Sequence, residues 1–218
     1  MLTIDNLSLF KDDKKIFSAL GFSVSINSAL IIRGRNGCGK TSLLKIIAGI
    51  SDATSGRILW GGEDVKNFRA DFNGDTQFIG HKNFLKPELT AFENLRFYSK
   101  LSDTEMALDS ALNFFELQNF ADEKIKKLSA GWQKRVMLAK LLACPATIWL
   151  LDEPSNNLDK DGKEKLYGLI KTRIKEDGLV IMTTHDEMFF DLGHRLNLED
   201  FEQFLRWLSE EPASDDVI

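Results

Sequence analysis

Residues 34–42 read GRNGCGKTS, and the spacing G-x-x-x-x-G-K-[ST] is filled at every fixed position by Gly34, Gly39, Lys40 and Thr41. Upstream lies the apolar run Ala29-Leu30-Ile31-Ile32, and downstream the helix-like Leu43-Leu44-Lys45-Ile46-Ile47-Ala48. A strand, a glycine loop and a helix in this order form a socket for phosphate. Loop N–H groups can approach the anion because no side chain blocks them, and the positive end of the following helix faces it. Gly34, Arg35, Asn36, Gly37, Cys38, Gly39, Lys40, Thr41 and Ser42 are therefore the candidate nucleotide-binding residues. Lys40 is expected to reach the β- and γ-phosphates, and the Thr41 hydroxyl to ligate Mg²⁺.

The 218-residue chain has room for one substantial core, or one core with a modest subdomain, but not for two nucleotide-binding domains. Hydrophobic content of 43% and charged content of 28% are ordinary for a globular protein. No apolar run approaches the roughly 20 residues needed to cross a bilayer, and the N-terminus lacks a basic region followed by an apolar stretch, so the chain alone is expected to stay in the cytoplasm. A net charge of -5 argues against nonspecific nucleic-acid binding. Cys38, in the loop, and Cys144, after an apolar helical run, are read as reduced thiols, the first partly accessible and the second in the core. The histidines are scattered, which disfavours a zinc site.

Leu2 to Phe10 and the alternating Phe22-Ser23-Val24-Ser25-Ile26 predict two antiparallel strands flanking a charged turn at Lys11 to Lys15. Gly56 to Trp60 predicts a further short strand. Between Lys82 and Pro145 helical spacing takes over, with capping-box patterns at Thr90-x-x-Glu93 and Ser102-x-x-Glu105. Strand character returns at Thr147 to Leu151 and again at Leu179 to Thr184, both continuously apolar as in strands covered on both faces. The helix-like Lys163 to Glu176 between them implies a crossover and a parallel sheet. The fold class is α/β: a phosphate-loop NTPase core with an antiparallel β lobe and an inserted helical subdomain. The expected division is a nucleotide-binding core over residues 1–81 and 146–208, a helical subdomain over 82–145, and a disordered tail over 209–218.

The strand Ile148-Trp149-Leu150-Leu151 runs into Asp152-Glu153. A carboxylate at the end of a buried strand beside a phosphate loop can hold Mg²⁺ through water, and a second can orient and deprotonate an attacking water. Asp152 is the candidate metal residue together with Thr41, and Glu153 the candidate base. On its own, an apolar strand ending in Asp-Glu could equally be a helix cap.

Pro154-Ser155-Asn156-Asn157-Leu158-Asp159 follows at once, and the later strand ends in Thr183-Thr184-His185-Asp186. With Leu128-Ser129-Ala130-Gly131-Trp132-Gln133-Lys134-Arg135 lying between loop and Asp-Glu strand, the chain resembles the ATP-binding-cassette ATPases over roughly Leu2 to His194. The resemblance implies ATP and Mg²⁺ as ligands, Glu153 as general base, and His185 as a contact to the γ-phosphate that positions Glu153 and the water. It also implies an ATP-dependent homodimer, each nucleotide lying between the phosphate loop of one copy and Ser129 and Gly131 of the other. Asp159 belongs to the loop that lines this interface. Ala130 and Trp132 depart from the family's usual Gly and Gln. His81 is assigned to the position of the family's loop glutamine, the alternative being a surface histidine; Gln77 lies earlier. An adenine-stacking aromatic could be Phe10 or Phe17, although the aligned position is closer to Lys11 and core packing is the better reading of both rings.

A narrower likeness is carried by residues 80–95, GHKNFLKPELTAFENL, the Leu-Ser-Ala-Gly run and Ile148 to Pro154. These stretches are similar to the ATP-binding subunits of the bacterial haem exporter used in cytochrome c maturation. That subfamily implies a peripheral position on the cytoplasmic face of the inner membrane, an integral membrane permease partner (CcmB-like) with a CcmC-like protein nearby, and haem delivery as the output. The residues themselves hold no Cys-x-x-Cys-His and no histidine pair suited to axial ligation, so no direct haem contact is expected. Phe84, beside Lys82 and Lys86, is the preferred contact for a membrane subunit, whereas Phe92 and Phe97 are read as lobe core. Three alternatives stay open: a cassette serving another small substrate, a soluble mechanical ATPase acting on DNA or ribosomes, and a nucleotide-binding regulatory module without turnover.

Overall fold

The computed structural model describes residues 1–12, 14–80, 84–101 and 108–199. Strands β1 (Leu2–Lys11) and β2 (Lys14–Val24) pair antiparallel as expected. β2 starts earlier than the Phe22–Ile26 alternation and stops short of Ile26, which is exposed. With β4 (Ser55–Trp60) and β5 (Glu63–Asp64) they form a sheet of order β2-β1-β4-β5. β2 is therefore an edge, where Lys14 and Lys15 can point to water, and charge on an edge discourages pairing with another chain.

The second sheet is parallel. Its order is β6 (Thr76–Ile79), β7 (Ile148–Asp152), β8 (Leu179–Thr183), β3 (Ser28–Arg33) and β9 (His194–Asn197). Alternate residues of its central strands feed two separate cores, as the two-residue period of a strand requires. Leu30, Ile32, Ile148, Leu150, Leu179 and Ile181 join one cluster, with the antiparallel sheet, helix α1 (Lys40–Ile47) and Phe72 of the short helix α2 (Arg69–Gly74). Ala29, Ile31, Trp149, Leu151, Val180 and Met182 join the other, with α6 (Lys160–Lys175) and the helices of the inserted stretch. Both faces being covered is why β7 and β8 are fully buried and read as unbroken apolar runs. The crossover β7-α6-β8 ends in the expected parallel pair.

Between residues 84 and 145 the described elements are helical: α3 (Ala91–Leu101), α4 (Leu108–Phe114) and α5 (Ala130–Ala143). The Thr90 capping box is formed. Thr90 N–H donates to Glu93 Oε2 at 2.8 Å, and Glu93 N–H donates to Thr90 Oγ1 at 3.1 Å. Ser102-x-x-Glu105, His81 and the tail lie outside the described residues. Phe92 packs against the core cluster, but Phe97 is exposed, with the Lys86 ammonium 4.0 Å from its ring centre. The reason is helical phase: Ala91, Asn94 and Leu95 mark the inward face of α3, and Phe97 falls off it. Among the described residues no helix is long and apolar enough to cross a membrane.

Candidate active site

The loop between β3 and α1 opens into a cleft of about 780 Å³. Asn36, Gly37, Gly39, Lys40, Thr41 and Ser42 form one wall, and Asp152, Glu153 and His185 stand opposite. Gly39 caps α1 at φ 105°, a left-handed conformation, and a β-carbon there would lie 2.7 Å from Ile16 Cγ2. Gly34, Arg35 and Cys38 shape the loop without lining the cleft. Lys40 is buried, and its ammonium donates to the carbonyls of Gly34 at 2.6 Å and Arg35 at 3.0 Å.

Opposite the loop, the parallel register places Asp152 beside Thr183. Thr41 Oγ1 donates to Asp152 Oδ2 at 2.8 Å, and Thr183 Oγ1 donates to Asp152 Oδ1 at the same distance. A hydroxyl and a carboxylate side by side are hard oxygen donors in the small number magnesium takes from protein when phosphates and water complete its shell. These residues fit that ion.

Glu153 has φ 46°, unusual for a residue with a β-carbon. Its N–H donates to Thr183 O at 3.1 Å and Oγ1 at 3.0 Å, and its carbonyl accepts from Lys134 Nζ at 3.2 Å. One Oε1 of the carboxylate is 3.5 Å from Nε2 of His185, which is exposed at the cleft edge. Burial pushes the Lys134 ammonium down to about 8, against the pull of Asp152 and Glu153. Lys163 and Asp186 also line the cleft and pair at 2.7 Å, which holds the Asp186 carboxyl below its usual range.

Ser129, Gly131 and Asp159 are not in the wall of this cleft. Ser129 caps α5, its Oγ accepting from Trp132 N–H at 3.4 Å, so the helix begins at Ala130. A β-carbon on Gly131 would sit 2.9 Å from the Asn157 carbonyl, which packs the helix start against the loop after Glu153. Asp159 caps α6 through Gly162 N–H at 2.9 Å and pairs with Arg135 at 2.7 Å; that cap and that pair hold its carboxyl below the ordinary range. Trp132 packs against Phe120 with ring centres 4.3 Å apart and planes tilted by 40°. Gln77 donates to the carbonyls of Lys140 and Cys144 at the end of α5 and is spent there, away from the cleft. Phe17 is core as read, but Phe10 is exposed, because β1 has by then run past the core it shares with α1; its N–H is held by Thr54 Oγ1 at 2.9 Å. Ile16 is the residue from this region that lines the cleft.

Thr183, Lys134 and Lys163 were not foreseen as part of the site. Thr183 had a signal, the end of the strand after the crossover; Lys134 had none beyond its place in the Leu-Ser-Ala-Gly helix.

A phosphate loop facing a strand-end Asp-Glu pair and a histidine just beyond the next strand defines a nucleotide-hydrolysing cassette. The family whose model matches residues 17–156 is described as ABC transporter. The chain is 40% identical over 194 residues, 88% of its length and 95% of the relative's, to the cytochrome c biogenesis ATP-binding export protein CcmA of Vibrio vulnificus. The CcmA of Aliivibrio fischeri is 42% identical over 193 residues, with coverage of 88% and 95%. An ABC transporter ATP-binding protein from Pyrococcus furiosus superposes with a TM-score of 0.78 at 25% identity, covering 91% of this chain and 98% of that one. The dimeric post-hydrolysis state of the cassette MJ0796 bound to ADP and Pi shares the fold at a TM-score of 0.82 and 24% identity, covering 91% and 94%.

The chain belongs to the ABC transporter family and, within it, to the cytochrome c biogenesis ATP-binding export proteins. It is an ABC-type ATPase, and ATP is its nucleotide.

Proposed function

We propose that this chain is the ATP-hydrolysing subunit of a membrane exporter serving cytochrome c maturation, with haem delivery, or release of a haem-loaded chaperone, as its output. The observation that carries the reading is the division of the site. Lys40, Thr41, Asp152, Glu153 and His185 converge on one cleft, while Ser129 and Gly131 sit at a helix start outside it. A phosphate bound in the cleft would meet loop N–H groups, the start of α1 and the Lys40 ammonium. Mg²⁺ held by Thr41 and Asp152 would supply neutralising charge to the β- and γ-phosphates. Glu153 takes the proton of the attacking water, and His185, within reach of its carboxylate, contacts the γ-phosphate and keeps base and water in line.

Closure needs a second copy, whose Ser129 hydroxyl and Gly131 N–H at the α5 start reach the γ-phosphate from the far side. Hydrolysis removes that bridging group, and the pair opens. The helical subdomain, residues 82–145, is the docking side for a CcmB-like permease with a CcmC-like protein nearby, which places the cassette peripherally on the cytoplasmic face of the inner membrane. Phe84, 56% exposed, is the contact residue. The chain itself does not touch haem.

Affinity purification from native membranes tests this reading. Recovery of a polytopic subunit of that exporter supports it; recovery with ribosomes would favour a soluble mechanical ATPase, and a permease for another small molecule would move the substrate.

A further inference from the structure

Lys134 is 6% exposed, and its ammonium donates to the backbone carbonyl of Glu153. Burying this ammonium, with one carbonyl as its hydrogen-bond partner, costs more than the nearby Asp152 and Glu153 carboxylates return, and an apolar side chain of similar length would fill the space without that cost. Packing therefore does not account for a lysine here. What it touches does. Glu153 occupies a left-handed conformation that persists only when its surroundings over-determine it. Thr183 grips the peptide before it, through the N–H, and Lys134 grips the peptide after it, through the carbonyl. With both peptides fixed, the direction of the Cα–Cβ bond is fixed, and with it the placement of the carboxylate beside His185.

The second half of the observation is where Lys134 comes from. It lies on α5, whose capping residue is Ser129 and whose first turn rests on the loop after Glu153 at Asn157. Its neighbours along the helix anchor elsewhere: Gln133 donates to the carbonyls of Ile125 and Leu128, and Arg135 pairs with Asp159 and Asp161. A shift of the α5 start is thus delivered to the Glu153 backbone through the Lys134 side chain.

We propose that Lys134 is a positioning residue for hydrolysis, clamping the Glu153 carbonyl so that the direction of the carboxylate follows the helix start that faces the second nucleotide. The inference rests on the reading above, in which Glu153 is the base and Ser129 and Gly131 serve a second copy. Lys134 does not line the cleft, so its role is in turnover and not in nucleotide affinity.

The test is steady-state phosphate release by the full chain with ATP and magnesium, for Lys134→Met, Lys134→Arg and, in parallel, Glu153→Gln. Lys134→Met should lower kcat about tenfold or more while KM, and affinity for a fluorescent ATP analogue, stay within about twofold. Its unfolding midpoint should be unchanged or higher, and Lys134→Arg, which keeps a donor, should retain more turnover than Lys134→Met. A kcat within about twofold of the parent overturns the proposal, as does a fall in kcat accompanied by an equal loss of affinity or a lowered midpoint. If Lys134→Met does not fold, Lys134→Leu, which also lacks a donor, is judged by the same criteria. Parental turnover in Glu153→Gln would instead remove the base assignment; abolished turnover there with an unaffected Lys134→Met would sink the Lys134 inference alone.

Discussion

His185 Nε2 lies 3.5 Å from Glu153 Oε1, so residues just past the ends of the neighbouring parallel strands β7 and β8 meet across the mouth of one cleft. The distance is at the loose end for a hydrogen bond and short enough to tighten when a γ-phosphate draws the imidazole inward. His185→Ala should therefore leave ATP binding within about threefold and lower kcat by roughly 100-fold, the usual scale for a group that orients base and water. Phosphate-release kinetics beside equilibrium nucleotide binding check this; equal losses in both would assign His185 to binding.

Lys40 is held over its own loop by the Gly34 and Arg35 carbonyls, which keeps a buried ammonium aimed along the phosphate socket. Lys40→Ala should weaken ATP far more than AMP if, as we propose, its contact is with the β- and γ-phosphates. Calorimetric titration with both nucleotides decides the point, and parental ATP affinity in the variant would contradict the loop assignment.

Thr90 and Glu93 satisfy each other's N–H groups at the start of α3. Thr90→Ala should cost about 1 kcal/mol of stability, as loss of a helix cap does, without changing turnover per folded molecule. Urea unfolding monitored by circular dichroism provides the measurement.

Lys134 supplies a pH signature. Its folded pKa is depressed to about 8, whereas the unfolded chain keeps the proton to about 10.5. Between those values the unfolded state binds more protons, so stability rises with pH there; below about 8 the whole burial penalty is present. In nucleotide-free protein with chelator, Lys134→Met should exceed the parent in stability most at pH 7, and the gap should narrow as pH rises from 8 towards 10.5. A gap independent of pH across that window would mean that Lys134 is not buried as an ammonium.

The loop, the Asp152-Glu153 strand end and the switch from strand to helical spacing were legible because each is a local pattern. β7 and β8 could be read as doubly covered because alternate residues serve two different cores. What was missed is non-local. Thr183 acts on Asp152 through strand register, and Lys134 reaches Glu153 from 19 residues upstream in sequence, across the junction of helix and sheet. The short strands β6 and β9 carry too few apolar residues to announce themselves, at four residues each. Hydrophobicity alone puts Phe97 and Phe10 in the core, whereas helix phase and strand overrun bring them to the surface.

The dimer is tested most directly by sedimentation of Glu153→Gln with and without ATP. Two copies sharing nucleotide predict a monomer without ATP and a stable dimer with it, and loss of that dimer when Ser129 is changed to a bulky residue. A Glu153→Gln protein that binds ATP at saturation and still sediments as a monomer would contradict the account.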